Sequence, residues 1–527
     1  MRGLQDLLDF TKSFETVCGV LWFIGIKGFA HCGILWALSI CSLQKLQGLG
    51  IIQKEKKGDF HLNWRAYSTM DSVGSPPLSF SDYDAIGVDL DHTLCKYKLD
   101  NLFPHIHESV TQILVDEYNY DKELLEPFYN DRDSCFKGLV FDFKRGNILK
   151  LAENGEILRA SHGLQMLTDE DIKEVYPEGW QYFSELKETL GQSENYRYFE
   201  NFFDMPLLVI CARIIDMLDR KAGKPLGKYT FITDLFTVCA RIWDRSNFST
   251  EKDNFFAGIK RNPEKYLQPC SDKVRNWLKE MKAQGKVIFL LTSSHIDFAS
   301  FLLDFILGSD WKDYFSICIT YARKPGFFMK TPEERPFLSL VGDKEGDPVS
   351  SLKSGEYYSQ GNVETFHKYL EEVTGKAEPK IMYFGDSLRS DTFPTSKFAH
   401  WTNVLILEEM EAEGLGPYPE HQLNGKDEPV AKKPKYEGPS GTEKEFVTSK
   451  KWGSFFTHPM GESSSKPSQP TMNTMWGYFI RKYASLAVPQ LDYIADLPLD
   501  YKFSTFDSDS TGLAGFYPCP PACLTGK

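Results

Sequence analysis

Short, continuously apolar runs alternate with amphipathic stretches over much of this chain. Asp84–Leu90 (DAIGVDL) and Val287–Leu291 (VIFLL) have the length and composition of buried strands. Between them, Asp272–Gln284 places Val274, Trp277, Leu278 and Met281 at i, i+3, i+4 and i+7, which predicts a helix with one buried face. Ile296–Ile306 reads as another helix and Phe315–Thr320 as a strand. Lys380–Phe384 (KIMYF) and Val404–Leu407 read as further buried strands. Apolar strands alternating with amphipathic helices predict an α/β fold with a doubly wound parallel sheet. Ligands of such sheets bind beyond the carboxyl ends of the strands.

The interval between Leu90 and Val287 is far longer than one crossover helix needs, so a second domain is inserted there. Within it, Gly138–Gly163 alternates apolar and polar residues around Arg145-Gly146-Asn147 and Glu153-Asn154-Gly155, the pattern of a β-meander. Phe202–Leu218 and Phe231–Trp243 read as helices, making the insert α+β. The expected organisation is a core of residues 81–100 and 270–410, with an inserted cap at 101–269. Residues 411–451, rich in Gly, Pro, Glu and Lys, read as a flexible linker, in which Lys432, Lys433 and Lys435 are better taken as solvated than as a nuclear address. Residues 452–527 form a C-terminal segment whose apolar stretches Trp452–Phe456 and Leu486–Phe503 dock on the core.

Residues 1–80 form an N-terminal extension of a different character. Val17–Cys41 has the length of a membrane span, yet Lys27 and His31 fall near its middle, and a central Lys costs roughly 2.5–3.5 kcal/mol. A cleaved signal peptide fits poorly, since no small-residue cleavage site follows. A start at Met70 would instead leave a short polar leader, with the apolar stretch outside the native protein. Membrane attachment is the weaker expectation.

Composition narrows the picture further. The chain has 527 residues, 42% hydrophobic and 14% aromatic, which suits a globular protein with a large core and argues against wholesale disorder. Sixty basic against 73 acidic side chains give a net charge of −13, which disfavours nucleic acid as a partner. Eleven scattered cysteines form no disulfide framework and point to a reducing, cytoplasmic setting. Cys519 and Cys523 lack the second pair that a zinc site needs.

Chemistry-bearing residues gather at the predicted strand ends. Asp89-Leu90-Asp91-His92-Thr93 follows the first strand, Thr292-Ser293-Ser294 follows VIFLL, Lys324 follows Phe315–Thr320, and Asp386 and Asp391 follow KIMYF. Phosphate-ester cleavage needs a nucleophile, a proton donor for the leaving oxygen and positive charge on the phosphoryl oxygens. A carboxylate can attack phosphorus and form an aspartyl-phosphate, and two neighbouring carboxylates push their pKa values apart. Further carboxylates at one sheet edge call for a hard cation, for which Mg²⁺ is the natural choice. Thr292 offers a hydroxyl and nearby N–H groups to phosphate, and Lys324 a point charge.

In this order the motifs resemble those of the haloacid dehalogenase-like superfamily. GVDLDHTLCKY (87–97), GLVFDFKRGNILKL (138–151), LRASHG (158–163), ARKPGFF (322–328) and YFGDSLRSD (383–391) are similar to its cytosolic purine 5′-nucleotidase branch. The resemblance implies a Mg²⁺-dependent 5′-nucleotidase that hydrolyses nucleoside 5′-monophosphates through an aspartyl-phosphate. It implies Asp89 as nucleophile and Asp91 as general acid and base. Asp89, the main-chain carbonyl of Asp91, and Asp386 would ligate Mg²⁺ with Asp391 in support, while Thr292, Ser293 and Lys324 would hold the phosphoryl group. The insert would be the cap over the leaving group, and the branch includes homo-oligomers.

One departure stands out: the purine-gripping pattern of that branch does not recur in Leu218–Phe248, so base and sugar preference stay open. A nucleotide-binding scaffold with little turnover is the alternative reading. His92 is placed either to touch substrate or to pack locally. His162 is expected to bond to backbone in a turn.

Overall fold

A computed structural model describes residues 77–416, 441–460, 471–506 and 512–525, together with the backbone of two short strands, Ile52–Lys54 and Phe60–Leu62, and of residues 441–443. The chain divides into two units, Met1–Gly74 and Ser75–Lys527. In the first, Ile52–Lys54 pairs antiparallel with Phe60–Leu62. The apolar stretch Val17–Cys41 lies outside the described residues. Among those described, no helix is long and apolar enough to cross a membrane.

The second unit is built on one large sheet. Its strands run in the order Lys344–Val349, Phe337–Val341, Tyr357–Gln360, Ile317–Thr320, Val287–Leu291, Ala85–Val88, Ile381–Gly385, Thr402–Ile406 and Leu486–Val488. From Tyr357–Gln360 to Leu486–Val488 every neighbouring pair is parallel; Phe337–Val341 and Lys344–Val349 form an antiparallel hairpin on one edge. Every residue of Ala85–Val88, Val287–Leu291 and Ile381–Gly385 is buried, as expected of strands covered on both faces. Helix Asp272–Ala283, capped by Ser271, buries Val274, Trp277, Leu278 and Met281 against this sheet, with the Trp277 ring edge-on to Phe384 at 5.5 Å. Gly87 meets a strict spatial demand, since a Cβ there would stand 2.2 Å from the Phe289 ring.

The chain leaves this core through Lys96–Tyr97 and returns through Leu267–Gln268, and these two short strands pair antiparallel as a neck. Beyond it lies an antiparallel sheet in the order Gln165–Met166, Ile157–His162, Asn147–Leu151, Leu139–Asp142 and Tyr196–Phe199. Leu99–Tyr118, Pro206–Ala222 and Ile232–Ile242 are the longest described helices of the insert.

The Gly/Pro/Glu/Lys-rich window behaves as structured chain at both ends. Glu408–Ala412 is helical, and residues 417–440 lie outside the description. Past 443 the chain docks on the insert: Phe446 and Val447 are buried, and the Phe446 ring stands 5.8 Å from Phe103. The expected linker therefore ends before Lys451, because these apolar side chains gain more from burial than a polar tether would.

The C-terminal segment touches both layers. Leu486–Val488 extends the core sheet, Trp476 Nε1 donates to the Gly138 carbonyl at 2.6 Å, and Lys150 Nζ donates to the carbonyls of Trp452 and Ser454 at 2.7 Å each. Burial, aided by the Arg159 charge, pulls Lys150 down to about 7. The folded chain thus releases this proton near neutrality, whereas the unfolded chain holds it to about pH 10.4. The unfolded state binds more protons across that interval, so the Lys150 contribution to stability rises with pH within it and is lost as pH falls toward 7. Urea denaturation of Lys150→Met at pH 7 and 9 should give a flatter pH slope than wild type; an unchanged slope would refute this assignment.

Candidate active site

The parallel register brings the motif-bearing strand ends level with one another. Val88 is the partner of Phe384, so Asp89 and Asp386 emerge side by side, and the Asp89 N–H donates to the Phe384 carbonyl at 2.9 Å. Val287–Leu291 flanks the first strand on its other side and delivers Thr292–Ser294, and Ile317–Thr320, one strand further out, leads into Lys324. Asp391 returns to the same point through a short helical turn, Leu388–Thr392. Its approach requires Gly385, where a Cβ would lie 2.4 Å from the Cβ of Asp391.

Lys324 is the hub of the resulting cluster. Its Nζ lies 2.8 Å from Asp89 Oδ1 and 2.6 Å from Asp391 Oδ1, and it bonds the Tyr383 hydroxyl at 2.8 Å. The Ser387 N–H donates to Asp391 Oδ2 at 3.1 Å. Asp386 is buried, and among the described residues its carboxylate has neither a hydrogen bond nor an ion pair. Oxygens of Asp89, Asp386 and Asp391 all lie within 4.8 Å of one another. The Asp91 carboxylate stands apart: Tyr97 Oη donates to its Oδ1 and Ser294 Oγ to its Oδ2, both at 2.7 Å.

Burial sets the electrostatics. It lifts Asp89 above the ordinary carboxylate range against the pull of Lys324, with Asp391 and Asp91 adding to the rise. Asp386 is raised well above its usual value by burial and then by the charge of Asp391. Burial also raises Asp91, in part offset by the bonds from Ser294 and Tyr97. Burial alone would depress Lys324, but Asp391 and Asp89 outweigh it and hold the ammonium above the normal lysine range. Lys324 within the cluster and Lys137 beside it are outnumbered by the carboxylates of Asp89, Asp91, Asp386, Asp391 and Glu200, which leaves an excess of negative charge. Hard oxygen donors crowded with a negative surplus fit a divalent cation of the Mg²⁺ type.

A cavity of about 580 Å³ opens onto this cluster and is lined by Asp89, Asp91, Lys324, Asp386 and Asp391 together with side chains of the insert. Its volume is that of a small-molecule site. Chemistry-bearing residues at the carboxyl ends of a doubly wound parallel sheet, beneath an inserted domain, form the arrangement described, and residues 76–416 match the model of the 5′ nucleotidase family. The chain belongs to the 5′ nucleotidase family.

The chain is accordingly a phosphomonoesterase hydrolase. It is 42% identical over 451 residues to human (Homo sapiens) 5′-nucleotidase domain-containing protein 1, covering 85% of this chain and 97% of that one. The Bos taurus protein of the same name is 41% identical over 452 residues, with the same coverage. Human 5′-nucleotidase domain-containing protein 2 is 28% identical over 342 residues, covering 64% of this chain and 62% of that one. Asp89, Asp91, Thr292, Lys324, Asp386 and Asp391 all fall inside the part matched by the 5′ nucleotidase family model.

The other side chains singled out in the sequence take defined places, His92 in the cavity wall among them. Thr292 is fully buried, four residues ahead of helix Ile296–Ile306, and its Oγ1 accepts from the Ser294 N–H at 3.1 Å; Ser293 and Ser294 line the cavity instead. His92 adopts a left-handed φ of 55° and packs its ring against Tyr97, Phe202 and Phe203. Burial pulls His92 down to about 3, so the ring is neutral. His162 bonds to side chains rather than backbone, with Nδ1 2.7 Å from Asn147 Oδ1 and Nε2 2.7 Å from Asp219. Cys95 is buried, which pushes its thiol well up and leaves it unreactive.

Other contributors escaped the sequence reading. Tyr97 lies inside a quoted motif but carries no catalytic signature of its own. Glu200, from the insert, accepts from Ser387 Oγ at 2.6 Å, and a lone Glu outside any motif gives no signal in sequence. Tyr321 and Arg323 both hold φ at 46°, a conformation that costs side-chain-bearing residues energy. The stack of Tyr321 on His295 at 3.8 Å and its carbonyl bond to Arg335 Nη2 at 2.8 Å keep this turn, and hence Lys324, in place.

Proposed function

We propose that this chain hydrolyses nucleoside 5′-monophosphates to nucleoside and phosphate, with Mg²⁺ as cofactor and an aspartyl-phosphate on Asp89 as intermediate. The observation that carries the reading is the position of Asp89, held 2.8 Å from Lys324 in the cavity wall with Asp91 two residues away. In the first half-reaction, Asp89 attacks phosphorus, the P–O5′ bond breaks, and O5′ takes a proton from Asp91. In the second, Asp91 accepts a proton from water as its oxygen attacks phosphorus, releasing phosphate and restoring Asp89. Lys324 and the N–H groups near Ser293 face the phosphoryl oxygens, and Tyr97 and Ser294 fix the orientation of Asp91.

Asp89, Asp386 and the main-chain carbonyl of Asp91 would hold Mg²⁺, with Asp391 in support. The buried Asp386 carboxylate, without a donor among the described residues, is what fits this assignment. When bound, the ion supplies positive charge against the phosphoryl oxygens. The insert acts as the cap that excludes water from the leaving group.

Phosphate release from a panel of nucleoside monophosphates and sugar phosphates tests the reading. Turnover with Mg²⁺ and its loss on chelation are expected. A folded chain that binds Mg²⁺ and nucleotide but releases no phosphate from any compound would replace it with the scaffold reading.

A further inference from the structure

The insert contributes Arg197, Glu200, Asp204, Trp243 and Arg245 to the cavity wall, and Arg389 lines the same cavity from the core turn Leu388–Thr392. The acidic groups on this side are already engaged. Glu200 accepts from Ser387, and Asp204 accepts from Arg197 Nη2 at 2.8 Å and from Asn201 at 3.1 Å. Asp297 accepts from Arg245 Nε at 3.0 Å, and Asp244 from the Ser246 N–H at 2.9 Å. Each of these carboxylates has a donor within the protein.

Two guanidinium groups are short of acceptors. Among the described residues Arg389 makes neither a hydrogen bond nor an ion pair, although its Nε is buried. Arg197 Nε is buried without a partner as well, while its guanidinium lies 4.3 Å over the Phe236 ring and is held by Asp204. Arg275 and Arg335 also carry an unpartnered Nε, but their Nη2 groups donate to the carbonyls of Ile306 and Tyr321 at 3.1 and 2.8 Å, and neither lines the cavity. A charged N–H withdrawn from water without an acceptor is unfavourable, so its acceptor is to be sought in what the cavity takes up. Arg389 acts to one side of the reacting carboxylates. Burial raises Glu200 and Tyr198, both on the insert, and the Arg389 charge opposes the rise in each. Burial raises Asp89 and Asp91 too, and there the opposing charge is that of Lys324. Arg389 nonetheless shares its short turn with Asp391, which places the acceptor it can reach a sugar's breadth from the phosphorus.

We infer that Arg389, with Arg197, binds a second phosphate carried on the sugar of the substrate, so that the preferred substrates are nucleoside bisphosphates that lose their 5′-phosphate and keep the other. This rests on the hydrolytic reading above and names its substrate class. A guanidinium presents a fork of donors that matches phosphate, and a phosphate dianion has charge and oxygens enough for two such groups. Selection through a sugar phosphate also suits a nucleotidase that lacks a purine-gripping pattern in Leu218–Phe248.

The test compares kcat/KM for adenosine 3′,5′-bisphosphate and adenosine 2′,5′-bisphosphate with that for AMP and for adenylosuccinate, whose extra anions are carboxylates on the base. Wild type should prefer at least one bisphosphate to AMP by roughly ten- to a hundredfold, with loss of the 5′-phosphate, and should give adenylosuccinate no such gain. Arg389→Met should bring the ratio of bisphosphate to AMP to about one, and Arg389→Lys, which keeps the charge without the fork, should retain a fraction of the preference. An absence of bisphosphate preference in wild type, an equal gain for adenylosuccinate, or an undiminished ratio in Arg389→Met would overturn the inference. The first two are read on wild type and so do not depend on the folding of a variant. Should wild type release no phosphate from any compound, the hydrolytic reading fails while the second-phosphate claim is still decided by calorimetric Kd values. A bisphosphate must then bind more tightly than AMP in wild type and equally in Arg389→Met; any other ranking rejects it.

Discussion

Asp89→Asn is expected to lower phosphate release by about 10⁴-fold or more, because under the proposed mechanism it removes the attacking oxygen rather than a supporting contact. Fold stability should scarcely change. Asn retains an oxygen that can accept from Lys324, and Lys324 also keeps Asp391 and Tyr383. The substitution further relieves repulsion among buried carboxylates, since Asp391 and Asp91 both push Asp89 upward. Activity and urea denaturation measured on the same preparation separate the two effects. Substantial residual turnover in a well-folded Asp89→Asn would remove Asp89 from the nucleophile role.

Lys324→Met should have the opposite balance, with a large effect on stability as well as rate. The ammonium is buried and faces two carboxylates at 2.8 and 2.6 Å. Breaking a buried pair by removing one partner costs about 3–5 kcal/mol, because the remaining charge is left uncompensated. Loss of a cation from the phosphoryl side should reduce kcat by about 10²–10³-fold. Mg²⁺ should recover part of the lost stability in the variant, through mass action on a site now richer in negative charge. A variant as stable as wild type in the absence of divalent ions would show that Lys324 does not neutralise this cluster.

Much of the core was legible because its strands are buried on both faces, so DAIGV, VIFLL and KIMYF stand out as unbroken apolar runs. The gathering of the candidate residues followed from the same fact: in a parallel sheet the residues just past each run converge, and Asp89, Thr292, Lys324 and Asp386 each follow one. The hairpin Phe337–Val349 escaped because its outer strand, Lys344–Val349, is largely exposed and carries Lys344, Glu345, Asp347 and Pro348, so no hydrophobic period marks it. Side chains that join the site from afar were equally silent. Glu200 meets Ser387 across 187 positions, and nothing local to either residue announces the contact. Trp243 ended the predicted helix Phe231–Trp243 as one more apolar position; only the cavity around it separates a lining residue from a core one. The linker was misjudged at its far end because two apolar residues, Phe446 and Val447, outweigh the polar composition surrounding them.

The neck has a bearing on how access and chemistry are geared. Tyr97 belongs to the short strand through which the chain enters the insert, and its hydroxyl is also the donor that orients Asp91. The second donor, Ser294, belongs to the core. Asp91 is thus gripped from two sides by parts that a swinging insert would pull in different directions. Under the proposed mechanism, a rotation about the neck large enough to shift Tyr97 would remove one of the two donors that orient Asp91, and re-seating the strand would restore it.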